Sequence, residues 1–418
     1  MIDPIFDVAV LGGGPAGMMA AATAAAAGSR VVLLEKNPIL GKKLLITGGG
    51  RCNILHAEFD VHALVAKYGK KGKSLFSAFS AFDAKSTWDF FESRGLRLKI
   101  EAEQRAFPIS DKAEDVHRTM LRSLKESKVE VRTGIEVQSI ESSGVLITKI
   151  VHSLGSIKAK KFILATGGKS HPETGSTGDG FQWAKQLGHT VIEPEAALVP
   201  ITIKDSWIAD VAGISLKVAK LTVLQGARKH GSSTGKMLFT HTGLSGPLVL
   251  NASKKIGALL KIGPVTVSLD LFPKMDAGAL DRYVTAVFDQ CKNKMIKNNI
   301  GVLVQPRLGH VLLRLSGIDP SVFLHQLKRD ERLSFVRLLK DVPMSVSGLL
   351  GEDKAIVTGG GVDVREVEFR TMRSKKIQNL YFAGDILDFD RPSGGFSLQI
   401  CWTTGFVAGK YSAQDAEL

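Results

Sequence analysis

The 418-residue chain is 44% hydrophobic and 23% charged, proportions that predict a globular protein of two or three domains. No apolar run is long enough to span a bilayer, and no basic signal region precedes the first strand, so we expect neither a membrane segment nor a signal peptide. The three cysteines, Cys52, Cys291 and Cys401, are far apart and form no C-x-x-C pair. They argue against a disulfide framework and a metal site, and they predict a reducing compartment, the cytoplasm.

The chain is strongly basic, with a net charge of +14. Residues 193–345 contain 21 Lys and Arg against 12 Asp and Glu, and they therefore account for +9 of that charge. A field of this sign attracts polyanions, of which nucleic acid is the obvious candidate. The alternative is an ordinary solvated basic surface, because no RNA-binding motif and no run of interleaved aromatic residues accompanies the charge.

The first element is an apolar strand over 6–11, followed by a glycine-rich turn and an alanine-rich helix over 18–27. In such a turn the first glycine permits a tight bend, the second admits a pyrophosphate to the backbone, and the third lets helix and strand pack closely. A second strand over 31–34 ends at an acid, the spacing at which a carboxylate meets the ribose hydroxyls of an adenine dinucleotide. The pattern predicts a dinucleotide site that includes Gly12, Gly14, Pro15, Ala16, Gly17, Glu35 and Lys36.

Two later strands favour FAD over NAD as the dinucleotide. The strand over 162–164 ends in small residues that let backbone touch a ligand, and the strand over 380–382 ends near a Gly-Asp pair. The predicted contacts here are Ala165, Thr166, Gly167, Gly168, Gly384 and Asp385. No second G-x-G-x-x-G follows, since the glycines at 359–361 are expected to form a turn or a ligand-contacting loop. NAD(P)H would therefore act only as a transient reductant, without a Rossmann unit of its own.

The pattern of elements predicts three domains within an α/β fold. Alternating strands and helices over 1–192 indicate the first part of a doubly wound FAD-binding domain, which residues 346–418 complete and which ends in a helix over 400–408. Short β-like runs broken by Gly, Pro and Ser predict an inserted β-rich domain over 193–275. Helical spacing at 322–327 and 333–339 predicts a helical subdomain over 276–345, after which 343–351 is expected to return the chain to the first domain.

Three further segments carry residues suited to cofactor contact. A loop over 41–53 interleaves three glycines with polar donors, although a flexible surface loop is the alternative. Residues 175–180 open a helix, and 392–397 precede the last helix, whose N-terminal dipole would stabilise an anionic reduced flavin. In addition, position 137 falls where flavoproteins commonly hold adenine with backbone. The predicted contacts are Lys43, Thr47, Gly48, Gly49, Arg51, Cys52, Asn53, Val137, Thr177, Gly178, Gly180, Gly394, Gly395, Phe396 and Ser397.

The chain resembles the bacterial FAD-binding oxidoreductases described as aminoacetone-oxidase-like or BaiN-like. The resemblance rests on residues 47–53, 105–108, 110–113, 237–247, 371–375 and 384–388. It implies a two-dinucleotide-type FAD-binding Rossmann-like domain with an inserted β-barrel-like unit and a small helical unit. Two positions depart from the family pattern, since Asp385 stands where a glutamate is common and Phe396-Ser397 stand where Tyr-Asn is common.

The resemblance implies several reactions. Family members are linked to reduction of conjugated C=C bonds in steroid-like substrates, to amine oxidation and to dihydrouridine formation in ribosomal RNA. The last activity fits the basic insertion best, so we hypothesise that reduced FAD gives hydride from N5 to C6 of an accessible uracil while an acid protonates C5. The candidate acids are Cys52 and His241, for which a buried thiol and a capping or core histidine are the structural alternatives. Arg51 and Arg105 are candidates to bind an anionic substrate or the flavin phosphate.

The sequence is compatible with two other functions, and it does not determine the oligomeric state. A small-molecule amine oxidase or enoate-type reductase on the same fold would turn over a metabolite without salt-sensitive RNA affinity. A non-catalytic, flavin-bound RNA-binding factor would carry FAD that NAD(P)H does not reduce.

Overall fold

The computed structural model describes residues 5–351, 355 and 357–414, and the chain divides into two compact units. One unit comprises Met1–Ala196 and Ala355–Leu418, and the other, Ala197–Lys354, is inserted between these two segments of the sequence. The sequence predicts the insertion at 193–345, so both junctions lie later in the chain than expected. Among the helices that the structure describes, none is both long enough and apolar enough to cross a membrane.

The elements are numbered in chain order. Before the insertion the strands are β1 Phe6–Leu11, β2 Val31–Glu35, β3 Leu55–His56, β4 Leu98–Glu101, β5 Arg105–Pro108, β6 Glu130–Thr133, β7 Val137–Ser143, β8 Leu146–His152, β9 Gly155–Ile157, β10 Ala159–Leu164 and β11 Val191–Ala197, and the helices are α1 Pro15–Ala26, α2 Lys42–Ile46, α3 Val61–Ala66, α4 Phe76–Ala81, α5 Ala84–Glu92, α6 Ala113–Glu126 and α7 Asp179–Gln186. The inserted unit contains β12 Ile201–Ile203, β13 Ser215–Gln225, β14 Arg228–Phe239, β15 Gly243–Ser245, α8 Pro247–Leu260, β16 Thr266–Asp270, α9 Ala277–Gln290, α10 Ile296–Asn299, α11 Pro306–Ser316, α12 Arg329–Lys340 and β17 Val342–Leu349. After it come β18 Val357–Val362, β19 Val367–Glu368, β20 Arg373–Ser374, β21 Leu380–Phe382 and α13 Phe396–Gln414.

A seven-stranded sheet in the order β19-β20-β21-β10-β1-β2-β6 forms the core of the first unit. The five strands from β21 to β6 are parallel, and β19 and β20 pair antiparallel at one edge. Strands β1 and β2 are buried along nearly their whole length, as expected of parallel strands covered on both faces. Because β1 lies between β2 and β10, the winding direction reverses there, and ligands of such sheets bind outside the carboxyl ends of the strands at that point.

Helices α1 and α13 pack against each other with their backbones in close contact. A Cβ at Gly405 would lie 2.5 Å from the carbonyl oxygen of Ala16, and a Cβ at Gly409 would lie 2.4 Å from that of Ala20. The alanine side chains of α1 and the glycines of α13 therefore allow this close approach. The contact positions increase together along both helices, so the two helices run in the same direction.

The inserted unit contains a closed six-stranded barrel in the order β12-β15-β14-β13-β16-β17. Alternate residues of its strands, such as Leu221 and Val223 of β13 and Val267 and Leu269 of β16, are buried and form its core. Helix α8 packs on β14, while α9 and α11 each pack on α12. This unit thus has a hydrophobic core of its own.

The barrel is not complete before the helical segment begins, in contrast to the sequence-based expectation. Strand β17 comes after α9–α12 and pairs with both β12 and β16. The junction predicted at 345/346 therefore falls inside a barrel strand, and the segment 343–351 supplies most of that strand instead of returning the chain to the first unit. Residues 333–339 lie in α12 as predicted, but 322–327 contain only a 3-10 turn at Leu324–Gln326.

The glycines at 359–361 lie in strand β18 and not in the turn or ligand-contacting loop that the sequence suggests. This strand forms a two-stranded sheet with β11. A Cβ at Gly360 would lie 2.4 Å from the carbonyl oxygen of Glu193, and one at Gly361 would lie 2.5 Å from that of Ile386. Glycine is needed there because neighbouring backbones pack directly on the strand.

Candidate cofactor-binding site

The turn between β1 and α1 leaves a helix N-terminus free for an anion. Gly12 has a φ of +102°, and a Cβ at Gly17 would lie 1.8 Å from the carbonyl oxygen of Gly12, so the helix packs directly on the turn. Helix α1 begins at Pro15 with Gly14 as its N-cap, and it has neither a side-chain cap nor an acid in its first turn. Its unpaired N–H groups and the positive end of its dipole are therefore available to a phosphate.

A cleft of about 890 Å³ opens at this helix N-terminus. The predicted cofactor-binding residues that line it are Gly12, Gly14, Pro15, Ala16, Glu35, Lys43, Thr47, Ala165, Thr166, Gly167, Asp385 and Ser397. An adjoining cleft of about 480 Å³ shares residues 12, 35, 166 and 175 with the first, and it adds the predicted Lys36, Val137, Thr177 and Gly178. We refer to the two clefts together as the cofactor groove, whose extended form suits a dinucleotide.

Glu35, at the end of β2, is held in place by hydrogen bonds from two turns. Its Oε2 accepts from the backbone N–H of Gly13 at 2.7 Å, and its Oε1 accepts from the backbone and side-chain nitrogens of Asn37 at 2.8 and 2.7 Å. The side chain of Asn37 also donates to the carbonyl oxygen of Thr174 at 3.0 Å. The carboxylate is thus fixed in the groove, at the position where the sequence predicts a ribose contact.

Two features of the groove fit a bound dinucleotide. The hydroxyl of Thr166 is buried, lines both clefts and has no hydrogen-bond partner among the residues that the structure describes. A buried hydroxyl without a partner costs about 1–3 kcal/mol, so we expect the ligand to supply one. A Cβ at Gly14 would meet no atom within 4 Å, which leaves open space beside the helix N-terminus for a pyrophosphate.

Buried charges lie along part of the first cleft. The guanidinium of Arg391, whose side chain is 1% exposed, lies 3.0 Å from Asp385. Lys43 donates to the carbonyl oxygen of Ser170 at 3.1 Å, and burial lowers the pKa of its amine although Asp385 opposes the change. Burial raises the pKa of the Cys401 thiol, which lines the same cleft 4.0 Å from Asp385. Asp385 of the cleft is thus paired with the buried guanidinium of Arg391 and lies near the half-buried amine of Lys43.

The remaining predicted contacts lie outside the lining of the two clefts. Those that do not line either cleft are Gly17, Gly48, Gly49, Arg51, Cys52, Asn53, Gly168, Gly180, Gly384, Gly394, Gly395 and Phe396. Several are glycines that let backbone approach the lining residues: a Cβ at position 180 would lie 2.0 Å from the hydroxyl of Thr166, and one at position 384 would lie 2.7 Å from the Cβ of Ala16. Asn53 connects the segment 392–397 to β3. Its amide oxygen accepts from the backbone N–H of residue 395 at 3.0 Å, and its amide nitrogen donates to the carbonyl oxygen of Leu55 at 3.1 Å.

Arg51 is directed towards carboxylates and not towards the groove. Its Nη2 lies 2.5 Å from both Glu101 and Asp111, and the guanidinium carbon lies 4.3 Å from the ring centroid of Phe107. The hydrogen bonds that the guanidinium donates to the two carboxylates raise its pKa. This geometry does not support the expected contact with an anionic substrate or flavin phosphate, because the charge is already neutralised.

Neither candidate acid lines the groove. Cys52 is fully buried with a φ of +58°, and burial raises the pKa of its thiol to about 12 in spite of a hydrogen bond with Thr47. A thiol of this kind fits the structural alternative, a small buried side chain, better than the role of proton donor. His241 belongs to the inserted unit, where it is exposed in the loop between β14 and β15.

Sequence reasoning missed several residues of the site. Asn37 lines the first cleft, as do residues 174, 357 and 398. Positions 42, 175 and 176 also line it; they lie in segments predicted to suit cofactor contact, although they are not among the predicted contacts. Cys401 also lines it, but in the sequence it is one apolar residue in an apolar helix and gives no signal. Arg391 could have been noticed, since an arginine two residues before the Ser393-Gly394-Gly395 turn is a charge at a position otherwise suited to cofactor contact.

Comparison with known proteins places the chain among flavoproteins. Residues 6–411 match the family described as HI0933-like protein Rossmann domain. A protein of Clostridium scindens named 3-dehydro-bile acid delta(4,6)-reductase is 30% identical over 411 residues, which cover 97% of this chain and 99% of that protein. A protein of Escherichia coli K12 named ribosomal RNA dihydrouridine synthase is 29% identical over 408 residues, 97% of each chain. The open conformation of a flavocytochrome c3 fumarate reductase shares the fold, with a TM-score of 0.55 and 17% identity over 99% of this chain and 78% of that one.

Proposed function

Because the chain belongs to the HI0933-like family of FAD-dependent oxidoreductases, we propose that it reduces a C=C bond of uracil in ribosomal RNA and so forms dihydrouridine. The family and the FAD cofactor agree with the prediction from the sequence, which is confirmed at that level. The names of the two relatives both describe reduction of a C=C bond, in a bile acid and in uridine. The reaction class is therefore common to the two relatives, and the substrate distinguishes them.

One observation carries the choice of RNA. Residues 211–269 of the inserted unit contain eight Lys and Arg and no Asp or Glu. Exposed cations on β13 and β14 include Lys217, Arg228, Lys229 and Lys236. A phosphate backbone interacts favourably with such a surface through release of counterions, whereas a single metabolite does not need one. An RNA substrate also implies that the protein acts in the cytoplasm.

The groove provides groups that bind the cofactor more clearly than it provides a proton donor for the substrate. When bound, FAD supplies the hydride that reduction of uracil C6 requires. The N-terminus of α1 and the carboxylate of Glu35 would hold the dinucleotide, and the base would have to be unpaired or flipped out to reach it. We propose that solvent supplies the proton at C5, because burial raises the pKa of the Cys52 thiol and neither Cys52 nor His241 lines the groove. NAD(P)H is proposed as a transient reductant.

Deletion of the gene tests this proposal. We expect mass spectrometry of ribosomal RNA from the deletion strain to show loss of a dihydrouridine that the wild-type gene restores. A Gly14→Ala gene serves as the matched control, because the variant is expected to fold without binding FAD and so not to restore the modification. An unchanged dihydrouridine content in the deletion strain would remove the RNA reaction and leave the flavoenzyme.

A second candidate function is reduction of a conjugated C=C bond in a steroid-like metabolite. The relative named as a bile acid reductase favours it, since it is 30% identical over nearly the whole of both chains. This alternative predicts NAD(P)H oxidation by the purified protein with a steroid dienone, at a rate that does not change when RNA is added. Turnover of the dienone together with an intact dihydrouridine profile in the deletion strain would establish it in place of the RNA reaction.

A further inference from the structure

A second acid-free, lysine-rich stretch lies in the unit that contains the cofactor groove. Residues 61–82 contain Lys67, Lys70, Lys71 and Lys73 and no Asp or Glu. They fold as α3, a 3-10 segment at Gly69–Leu75 and α4. Three of the lysines, at positions 67, 70 and 73, are exposed, and among the described residues they form no ion pair.

Aromatic rings are exposed beside these lysines. Phe76, at the start of α4, is 41% exposed, and its ring centroid lies 4.9 Å from that of the exposed His62. Phe59, between Glu58 and Asp60, is 43% exposed and contacts Trp88 edge-on, and it lies outside the acid-free stretch. A single exposed apolar residue is ordinary on a protein surface, but exposed rings among unpaired lysines are the composition of surfaces that bind single-stranded nucleic acid.

The stretch is fastened to the start of α13, whose residues line part of the first cleft. Tyr68 is buried, and its hydroxyl donates to the carbonyl oxygen of Phe396 at 2.9 Å. Phe396 immediately precedes Ser397, which lines the first cleft. Lys71 forms an ion pair with the buried Asp388, eight residues before Phe396. The exposed lysines therefore flank residues that contact the groove wall.

From these contacts we infer that a single strand of the RNA substrate lies across this surface, which we call the lysine strip: Lys67, Lys70, Lys73, His62 and Phe76. The lysines bind its phosphates, and one base stacks on the ring of Phe76. A single strand fits better than a duplex, because only an unpaired base offers its face to an aromatic ring. The inference rests on the proposed function and specifies where the substrate meets the flavin-binding unit.

Binding measurements with a matched control test the inference. The strip variant, Lys67→Ala/Lys70→Ala/Lys73→Ala, is compared with Lys112→Ala/Lys125→Ala/Lys158→Ala, which removes three exposed lysines elsewhere in the same unit. The probe is a fluorescent single-stranded RNA that contains uridine, titrated at several salt concentrations, and absorbance at 450 nm verifies that each variant retains FAD. We expect the strip variant to bind at least about tenfold more weakly, with the slope of log K against log salt reduced by about 2, since each single-strand phosphate contact contributes about 0.7. The control variant should keep the wild-type slope.

Phe76→Ser separates stacking from charge. We expect this variant to bind the RNA about tenfold more weakly with an unchanged salt slope, because base stacking does not release counterions. Equal affinities of the strip and control variants, or an unchanged slope in the strip variant, would overturn the inference. Anionic phospholipid vesicles that bind the wild type but not the strip variant, with RNA affinity unaffected, would assign the strip to a membrane surface and overturn it as well.

Negative results of the deletion experiment and of the binding experiment contradict different claims. Intact dihydrouridine in the deletion strain, with RNA binding that depends on the strip, contradicts the proposed reaction and supports the RNA-binding surface. Lost dihydrouridine in the deletion strain, with strip and control variants that bind RNA equally, supports the reaction and contradicts the surface.

Discussion

Glu35 accepts a hydrogen bond from the backbone N–H of Gly13 at 2.7 Å, and this contact joins the end of β2 to the turn after β1. The same carboxylate receives two hydrogen bonds from Asn37. One side chain therefore shapes the phosphate-binding turn and also provides the acid expected to meet the ribose. An ionised acceptor makes the stronger kind of hydrogen bond, so the negative charge matters to both tasks.

We expect Glu35→Gln to weaken FAD binding by about ten- to a hundredfold, since the charged hydrogen bonds at this site contribute about 1.5–3 kcal/mol. The measurement is a titration of cofactor-free protein with FAD, followed by quenching of flavin fluorescence. Glu92→Gln is the matched control, because Glu92 accepts a backbone hydrogen bond from Leu98 at 2.8 Å away from the groove. If both variants bind FAD as the wild type does, the assigned role of Glu35 is wrong.

Substitutions of two glycines in the turn should distinguish an effect on cofactor binding from an effect on folding. Gly14→Ala adds a methyl group that meets no protein atom within 4 Å, at an ordinary φ of −75°, so the variant should fold normally and be colourless. Gly17→Ala would place its methyl 1.8 Å from the Gly12 carbonyl oxygen and should lower the melting temperature as well. The readouts are absorbance at 450 nm and thermal unfolding of the cofactor-free proteins. A yellow Gly14→Ala protein would contradict the placement of the pyrophosphate.

The buried pair of Asp385 and Arg391 should be sensitive to loss of one partner. Asp385→Asn leaves the guanidinium of Arg391 buried without a counterion, which we expect to lower the free energy of unfolding by about 3–5 kcal/mol. The double variant Asp385→Asn/Arg391→Gln should recover part of this loss. The control is Asp210→Asn, whose exposed ion pair with Arg314 should be worth less than about 1 kcal/mol. Urea unfolding measures all three, and equal losses for Asp385→Asn and Asp210→Asn would refute the expectation.

Glu366 should make stability depend on pH in the acid range. It accepts from the backbone and hydroxyl of Thr190 at 2.9 and 2.8 Å and lies 2.7 Å from the amine of Lys376. Burial alone would raise the pKa of its carboxyl, but these hydrogen bonds outweigh that effect and lower the pKa to about 2. Because the pKa in the folded state lies below the ordinary value of about 4.3, the stabilisation is complete above about pH 5 and is lost as the pH falls towards 2.

We therefore expect Glu366→Gln to lower the free energy of unfolding by at most about 3 kcal/mol at pH 7, a difference that shrinks between pH 5 and pH 3. Urea unfolding of variant and wild type at a series of pH values provides the measurement. A difference between the two proteins that stays constant down to pH 3 would show that ionisation of Glu366 does not contribute.

Local sequence patterns predicted the strand, turn, helix, strand and acid from Phe6 to Glu35, because each residue in that series acts on near neighbours. The partners of Arg51 could not be predicted in this way, since Glu101 and Asp111 are 50 and 60 residues away in the chain. The contribution of β17 to the barrel could not be predicted for a related reason. Strand β14 is rich in Gly, Ser and basic residues and has a weak β pattern. Strand β17 alternates buried and exposed residues, but it pairs with strands that precede it by a long helical segment, and local patterns do not reveal such pairing.

The residues that line the cofactor groove extend from Gly12 to Cys401. During synthesis the phosphate-binding turn leaves the ribosome among the first elements, yet the opposite wall is among the last. A nascent chain must therefore wait, with the edge of β10 that pairs with β21 unprotected, while the whole inserted unit is translated. Coenzyme capture is consequently a late event of biogenesis, and flavin-starved cells should accumulate full-length chains in an immature state that chaperones and proteases can recognise.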